Sequence, residues 1–371
     1  MNEKNIWIMA GEASGDLYGS HLYHEIKKKL PDATIKGMGA QEMKKAGVDI
    51  LVDSSELGVI GFVEVIKMYP TFKRLFNQLL KQAIEEKPDA VIMIDYPGFN
   101  LRLAKKLHAA GIKVIWYVCP QVWAWGKKRI PVFAEVVSKM LVIFPFETET
   151  FKHTSLDVEF VGHPLVDILS EVPRPERDPN LLLLLPGSRR SEISRLLKDM
   201  ILTANKVAEN NPNVRFVLPT PREAIQEMVQ EMLVKLAPTA PIKVVCGESV
   251  EWMCKASAGI AASGTVTVQA AILGLPLIST YRLQSLTYQV ASRIVDIPYF
   301  TMINFIAKKE IYPEFLQSEV CPEKLIPALE SIMPNGSRRV QIEQDLKDVL
   351  QLLGGKQGAF ENASAAIIKA L

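Results

Sequence analysis

Leu181-Leu182-Leu183-Leu184-Leu185-Pro186-Gly187-Ser188-Arg189 joins an apolar run to a short polar loop, and Ile193, Leu196 and Leu197 follow at helical spacing. The leucines read as a buried strand covered by helices on both sides. Strand, tight loop and helix make the repeating step of an α/β domain. Glycine permits the turn and a close backbone approach, the helix start presents unpaired N–H groups, and an arginine can fork onto phosphate oxygens. Gly187, Ser188 and Arg189 are therefore expected to hold a phosphate. The spacing is not that of a Walker loop, so ATP hydrolysis is not expected.

The same step recurs on either side. Val214 to Leu218, Ile242 to Val245, Ala258 to Ala261 and Leu277 to Ser279 are further strand candidates downstream. Upstream, Glu171 to Asn180 carries three prolines and five charges in ten residues, which leaves little to bury and predicts a linker or long surface loop. Before it, Ile6 to Ala10 is stopped by Gly11-Glu12-Ala13-Ser14-Gly15-Asp16 and followed by Leu17, Leu22, Ile26 and Leu30 at helical spacing. Ala90 to Ile94, Lys113 to Val118 and Leu141 to Phe144 continue the pattern. A chain of 371 residues fits two domains of about 150 to 180 residues each. The expected division is residues 1–170, residues 181–335, and a C-terminal part, 336–371. That part holds two helices broken by Gly354-Gly355, which cross back onto the first domain or exchange with a partner chain.

Composition excludes several classes. A net charge of +2 forecasts no long-range attraction to nucleic acid. Four cysteines without a CxxC pair read as free thiols in a reducing compartment. The first residues lack the parts of a signal peptide, and no apolar run approaches the roughly 20 residues that span a bilayer. His21 and His24 lack a third ligand, His153 and His163 are isolated, and there is no Asp-x-Asp, so neither a metal nor a cofactor is expected. Positive charge for a leaving diphosphate must then come from arginine and helix termini.

Other loops carry candidate chemistry. Ser263, Gly264 and Thr265 follow a short apolar run and open a helix, a second place suited to a phosphate, and Gln269 lies one turn deeper, within reach of a ribose hydroxyl. Two such loops in one doubly wound domain point to the strand ends where ligands bind. In the first domain, Gly11 to Asp16 and Asp95-Tyr96-Pro97-Gly98-Phe99-Asn100 place carboxylates at two strand ends. They would repel a diphosphate and suit an acceptor or reaction centre. A hydroxyl attacking an anomeric carbon needs a base, for which Glu12, Asp16 and Asp95 are available; each has helix capping as its alternative. Trp123, Trp125 and Lys127 to Arg129, with the aromatic segment Leu57 to Phe76 (Phe62, Tyr69, Phe72, Phe76), suggest an apolar, positively rimmed surface for lipid headgroups. Burial of these aromatics within the domain is the alternative.

The order of these motifs, together with Gln121-Val122-Trp123-Ala124-Trp125, Phe160-Val161-Gly162-His163-Pro164-Leu165 and Asn304, resembles the lipid-A-disaccharide synthase family from the first strand to about residue 317. The resemblance implies a GT-B fold, two facing Rossmann-like doubly wound domains across a cleft. It implies an inverting, metal-independent transfer from UDP-2,3-diacylglucosamine to 2,3-diacylglucosamine 1-phosphate, giving lipid A disaccharide 1-phosphate and UDP. It places the protein in the cytoplasm, peripheral on the inner membrane, with a homodimer as one arrangement known in the family. Carried over, Gly187, Ser188, Arg189, Ser263, Gly264, Thr265 and Asn304 become donor ligands, while Glu12, Ser14 and the loop from Asp95 to Asn100 become acceptor-side residues. Two positions depart from the family. Gly98 stands where many relatives have the aspartate favoured as base, which moves that role to Asp95 or Glu12, or to water. Gln269 stands where many have a ribose-binding glutamate, and its amide keeps the hydrogen-bonding capacity. A UDP-sugar epimerase of the same two-domain plan is the alternative reading.

Overall fold

The computed structural model describes residues 3–57, 62–284, 297–355 and 358–371, with the backbone alone for residues 56, 57, 62–69 and 125. The chain divides into two compact units, Met1–Asp167 with Gln357–Leu371, and Ile168–Lys356. Each unit contains one parallel sheet flanked by helices.

In the first unit the strands are β1 (Asn5–Ala10), β2 (Thr34–Gly39), β3 (Asp49–Asp53), β4 (Ala90–Ile94), β5 (Val114–Tyr117), β6 (Lys139–Val142) and β7 (Asp157–Phe160), in the order β3-β2-β1-β4-β5-β6-β7. Ile6 to Ala10 and Ala90 to Ile94 are at most 1% exposed, as expected of central strands covered on both faces. Strand order reverses between β1 and β4, and an open α/β sheet binds its ligands at such a point. β2, β3 and β7 are mixed in polarity, and pairing with their neighbours makes them strands. Helix α1 (Ala13–Lys29) follows β1, α2 (Gln41–Ala46) follows β2, α3 (Phe62–Glu86) precedes β4 and α4 (Pro97–Ala109) follows it.

From Phe72 onward α3 packs inward. Phe72, Leu75, Phe76 and Leu80 lie against the domain core, with Phe76 edge-to-face on Phe99 at 5.6 Å. Phe72 and Phe76 are thus half-buried against the core; the side chains of Phe62, Tyr69 and Trp125 lie outside the described residues. Among the described residues no helix is long and apolar enough to cross a membrane.

The second sheet contains β8 (Asp178–Leu185), β9 (Arg215–Thr220), β10 (Ile242–Cys246), β11 (Ala256–Ala262), β12 (Leu277–Tyr281) and β13 (Glu314–Leu316), ordered β10-β9-β8-β11-β12-β13. Its reversal lies between β8 and β11. The stretch read as a loop from Glu171 to Asn180 is partly built into this sheet. β8 begins at Asp178, and the Arg177 guanidinium donates to the carbonyls of Met253 (2.6 Å), Ala256 (2.5 Å) and Leu273 (2.6 Å). Helix α5 (Arg190–Asn210) follows β8, α6 (Thr265–Ile272) follows β11, and α7 (Met302–Ala307) precedes β13. Beyond α8 (Arg339–Leu352), the last helix, α9 (Ala359–Ala370), packs against α1 of the first unit. There the Asp167 carboxylate accepts from the backbone N–H groups of Gly358 (2.8 Å) and Phe360 (3.0 Å), and Phe360 stacks on His21 at 4.8 Å.

Candidate active site

In the first unit, β1 and β4 end side by side at Gly11-Glu12 and Asp95-Tyr96. Gly11 is required by the close approach of Tyr96: a Cβ there would lie 2.2 Å from the ring. Asp95 (φ +44) and Tyr96 (φ +50) both occupy the left-handed region, costing of order 1–3 kcal/mol each, and such strain gathers at functional sites. The surrounding hydrogen bonds enforce it. Asn100, fully buried, donates its amide to the carbonyls of Asp95 (2.8 Å), Ile94 (3.3 Å) and Met9 (3.4 Å), joining the two strand ends. The Asp95 N–H donates to the Tyr117 carbonyl at 3.1 Å. Asn100, expected to touch substrate, is buried here, its NH2 group stapling the Asp95 loop and its side-chain oxygen without a hydrogen-bond partner.

Burial, then the negative charge of Glu12, pushes the Asp95 carboxyl up to about 6, against a backbone hydrogen bond from Tyr96 that favours the anion. Glu12 and Ser14 are exposed at the start of α1. Asp16 is not available for chemistry. It is 3% exposed, and its carboxylate accepts from the N–H groups of Ala40 (2.6 Å), Glu42 (2.9 Å) and Met43 (3.2 Å), capping α2. At Gly98 an added Cβ would meet nothing within 4 Å, so the absence of a carboxylate there has no steric cause.

The ends of β6 and β7 add residues that the sequence reading did not single out as chemical. Glu147 is 1% exposed and accepts from the N–H groups of Phe144 (3.0 Å) and Ile143 (3.3 Å), and burial pushes its carboxyl up to about 8. An acid directly after Phe144-Pro145-Phe146 at a strand end was the available signal. Trp123 packs edge-to-face on Phe146 at 5.0 Å, and Phe144 lies 5.1 Å from the ring of His163. His163 is held neutral by burial, which lowers it to about 3, and its Nδ1 accepts from the Leu165 N–H at 3.1 Å.

In the second unit, Gly187-Ser188-Arg189 ends β8 and Ser263-Gly264-Thr265 ends β11, so the two expected phosphate loops flank the reversal of strand order. Ser188, Arg189, Gly264 and Thr265 are exposed, and Gln269 is half-buried in α6. Gly187 takes φ +108. The Glu192 carboxylate, in the first turn of α5, accepts from the N–H groups of Ser188 (3.2 Å) and Arg189 (3.3 Å) and lies 3.5 Å from the Arg189 guanidinium. The Ser263 hydroxyl donates to the Phe300 carbonyl at 3.3 Å.

Asn304, expected as a donor ligand, is fully buried. Its amide nitrogen donates to the Tyr312 carbonyl (2.7 Å) and Glu314 (2.8 Å), and its oxygen accepts from the N–H groups of Ile311 (2.9 Å) and Tyr312 (2.9 Å). Every amide hydrogen bond it can make is spent inside the protein. Glu314 in turn accepts from Phe300 N–H (2.9 Å), Thr301 N–H (2.9 Å) and the Thr301 hydroxyl (2.6 Å), so this buried network fixes the segment that meets Ser263. Among the described residues no group of three or more His, Cys, Asp and Glu side chains could hold a metal ion.

A family model described as lipid-A-disaccharide synthetase matches residues 6–368. The chain belongs to the lipid-A-disaccharide synthase family. The synthase of Koribacter versatilis is 37% identical over 97% of this chain and 95% of its own, and that of Syntrophus aciditrophicus 34% identical over 98% and 97%. Among solved structures, the glycotransferase of kitacinnamycin superposes over all of both chains with a TM-score of 0.67 at 13% identity. UDP-GlcNAc 2-epimerase from Neisseria meningitidis, bound to UDP-GlcNAc, covers 99% of this chain and 98% of its own, with a TM-score of 0.62 at 12% identity. At such identities these likenesses show the GT-B fold alone. The near full-length identity to synthases selects a hexosyltransferase, and the epimerase reading falls away.

Proposed function

We propose that in the synthase reaction Asp95 takes the proton from the acceptor hydroxyl, while the loops Gly187 to Arg189 and Ser263 to Thr265 hold the donor diphosphate. The reaction joins UDP-2,3-diacylglucosamine to 2,3-diacylglucosamine 1-phosphate, giving lipid A disaccharide 1-phosphate and UDP. The observation that carries the base assignment is Asp95 itself, held in strained backbone at the reversal of strand order with its carboxyl raised to about 6. Such a group is mostly ionised at neutral pH yet more basic than a solvated carboxylate. Glu12 raises it further and leaves an exposed carboxylate beside the acceptor, with Ser14 as an adjoining hydroxyl. Asn100 holds the Asp95 loop, and Asn304 holds the donor loop through Glu314 and Phe300.

On the donor side, Arg189, backbone N–H groups and the starts of α5 and α6 neutralise the charge that develops on leaving UDP. Gln269 offers its amide to the ribose. With no covalent intermediate, attack opposite the leaving group inverts the anomeric carbon. The acyl chains of both substrates require contact with the cytoplasmic face of the inner membrane, for which the exposed Lys127-Lys128-Arg129 turn supplies positive charge.

Acceptor-dependent release of UDP tests the base. Asp95→Asn is expected to lower kcat by roughly 10²- to 10⁴-fold. Glu12→Gln, by removing the like charge, should retain more activity and move the acidic limb of the pH profile downward. Turnover of Asp95→Asn equal to the parent's would overturn the assignment.

A further inference from the structure

We infer that Glu192 is a built-in occupant of the diphosphate loop, which the donor displaces on binding and which returns as UDP leaves. The inference rests on the donor-loop reading above. Ser188 and Arg189 each have a single backbone hydrogen, and both point to one oxygen of Glu192, at 3.2 and 3.3 Å. Those hydrogens cannot serve this carboxylate and a phosphate together. The Arg189 guanidinium, the cation expected to fork onto the diphosphate, is turned toward the other carboxylate oxygen at 3.5 Å. The site thus presents to Glu192 the donors that it would present to a phosphate: two adjacent backbone N–H groups, an arginine and the start of a 21-residue helix.

Gly187 fits the same placement, in which Glu192 is the third helical residue and closes a capping box. A Cβ on Gly187 would lie 2.5 Å from the same Glu192 oxygen, so the loop is glycine where the carboxylate comes closest as well as where φ is +108. The Glu192 side chain is 29% exposed and the Arg189 side chain 80% exposed, so an incoming anion can reach the pair without opening the core. Leaving the loop takes Glu192 only as far as solvent, where a carboxylate is well hydrated.

An internal anion of this kind keeps the loop in its binding shape while empty and lowers affinity for every phosphate ligand, product included. Glu192→Gln separates these effects. The amide oxygen still accepts from Ser188 and Arg189, so the shape persists, but the bond is neutral and weaker and no longer repels a diphosphate.

Calorimetric titration with UDP and with uridine, on the parent, Glu192→Gln and Arg189→Ala, tests the inference, with thermal melting of each free protein as the check on folding. The expected result is roughly fivefold or greater tightening of UDP in Glu192→Gln, with uridine unchanged, and a matching fall in the inhibition constant of UDP during turnover. UDP affinity unchanged or weakened in a folded Glu192→Gln overturns the inference and leaves Glu192 as a helix cap. Arg189→Ala isolates the underlying reading. If it leaves UDP affinity intact, the donor-loop assignment fails; if it weakens UDP while Glu192→Gln does not tighten it, the occupant role alone fails.

Discussion

Asp95 carries a cost that the fold accepts. Its carboxyl is raised from 3.8 in the unfolded chain to about 6 in the folded one, so the folded state binds the extra proton. The stability associated with the protonated group is therefore fully present below about pH 4 and is lost as pH rises through 6; by pH 8 the penalty is about 3 kcal/mol at most. Asn cannot ionise and tolerates the left-handed region better than most residues. Asp95→Asn should thus be more stable than the parent by roughly 1–3 kcal/mol at pH 8, and by clearly less at pH 5. Urea unfolding at the two pH values measures the gap; a gap of the same size at both would show that ionisation of Asp95 is not its source. Combined with the expected loss of turnover, this pattern marks a group kept for chemistry against stability.

Between elements, asparagine does the joining. Asn100 ties β1 to β4, and Asn304 ties α7 to the run entering β13. Both were expected as ligand contacts from the family resemblance, which matches positions along the chain and says nothing of the backbone groups around them. Only the tertiary arrangement shows that neighbouring carbonyls take the Asn100 NH2 group and that backbone and Glu314 partners take both ends of the Asn304 amide. Removing Asn304 leaves the N–H groups of Ile311 and Tyr312 buried without partners, and each such group costs about 1–3 kcal/mol. Asn304→Ala should lower stability by about 2–4 kcal/mol and weaken UDP binding through the displaced Phe300 segment. Differential scanning calorimetry with and without UDP checks both effects, and an unchanged melting temperature would remove Asn304 from this role.

For the molecule as a whole, the two units repeat one plan: a parallel sheet, a reversal of strand order at its centre, and candidate chemistry at the strand ends there. The acidic set lies in one unit and the proposed phosphate loops in the other. The proposed membrane attachment belongs at this scale. With Phe72 and Phe76 packed half-buried against the core, the proposed attachment rests, among the described residues, on charge. Reversing Lys127, Lys128 and Arg129 to Glu should lower sedimentation with anionic liposomes severalfold at low salt, and high salt should erase the difference, since exposed charges are screened beyond about 10 Å at 0.1 M. Equal sedimentation of the variant and parent at low salt would exclude this turn as the attachment point.

The sequence by itself determined the central strands, the loops that follow them and the family. β1, β4, β8 and β11 are buried on both faces, so their composition announces them whatever their partners, and the glycines of the following loops mark where backbone must turn or approach closely. The outer strands β2, β3, β7 and β13 gave no such signal, because backbone pairing with a neighbour makes them strands. Only the tertiary structure gave Glu12, Asp16 and Asp95 their different surroundings: it spent Asp16 on capping α2, left Glu12 exposed, and buried Asp95 beside it. It also turned the Glu192 carboxylate onto the N–H groups of Ser188 and Arg189. A carboxylate's role depends on how much water it keeps and which hydrogens point at it, and residues distant in sequence set both.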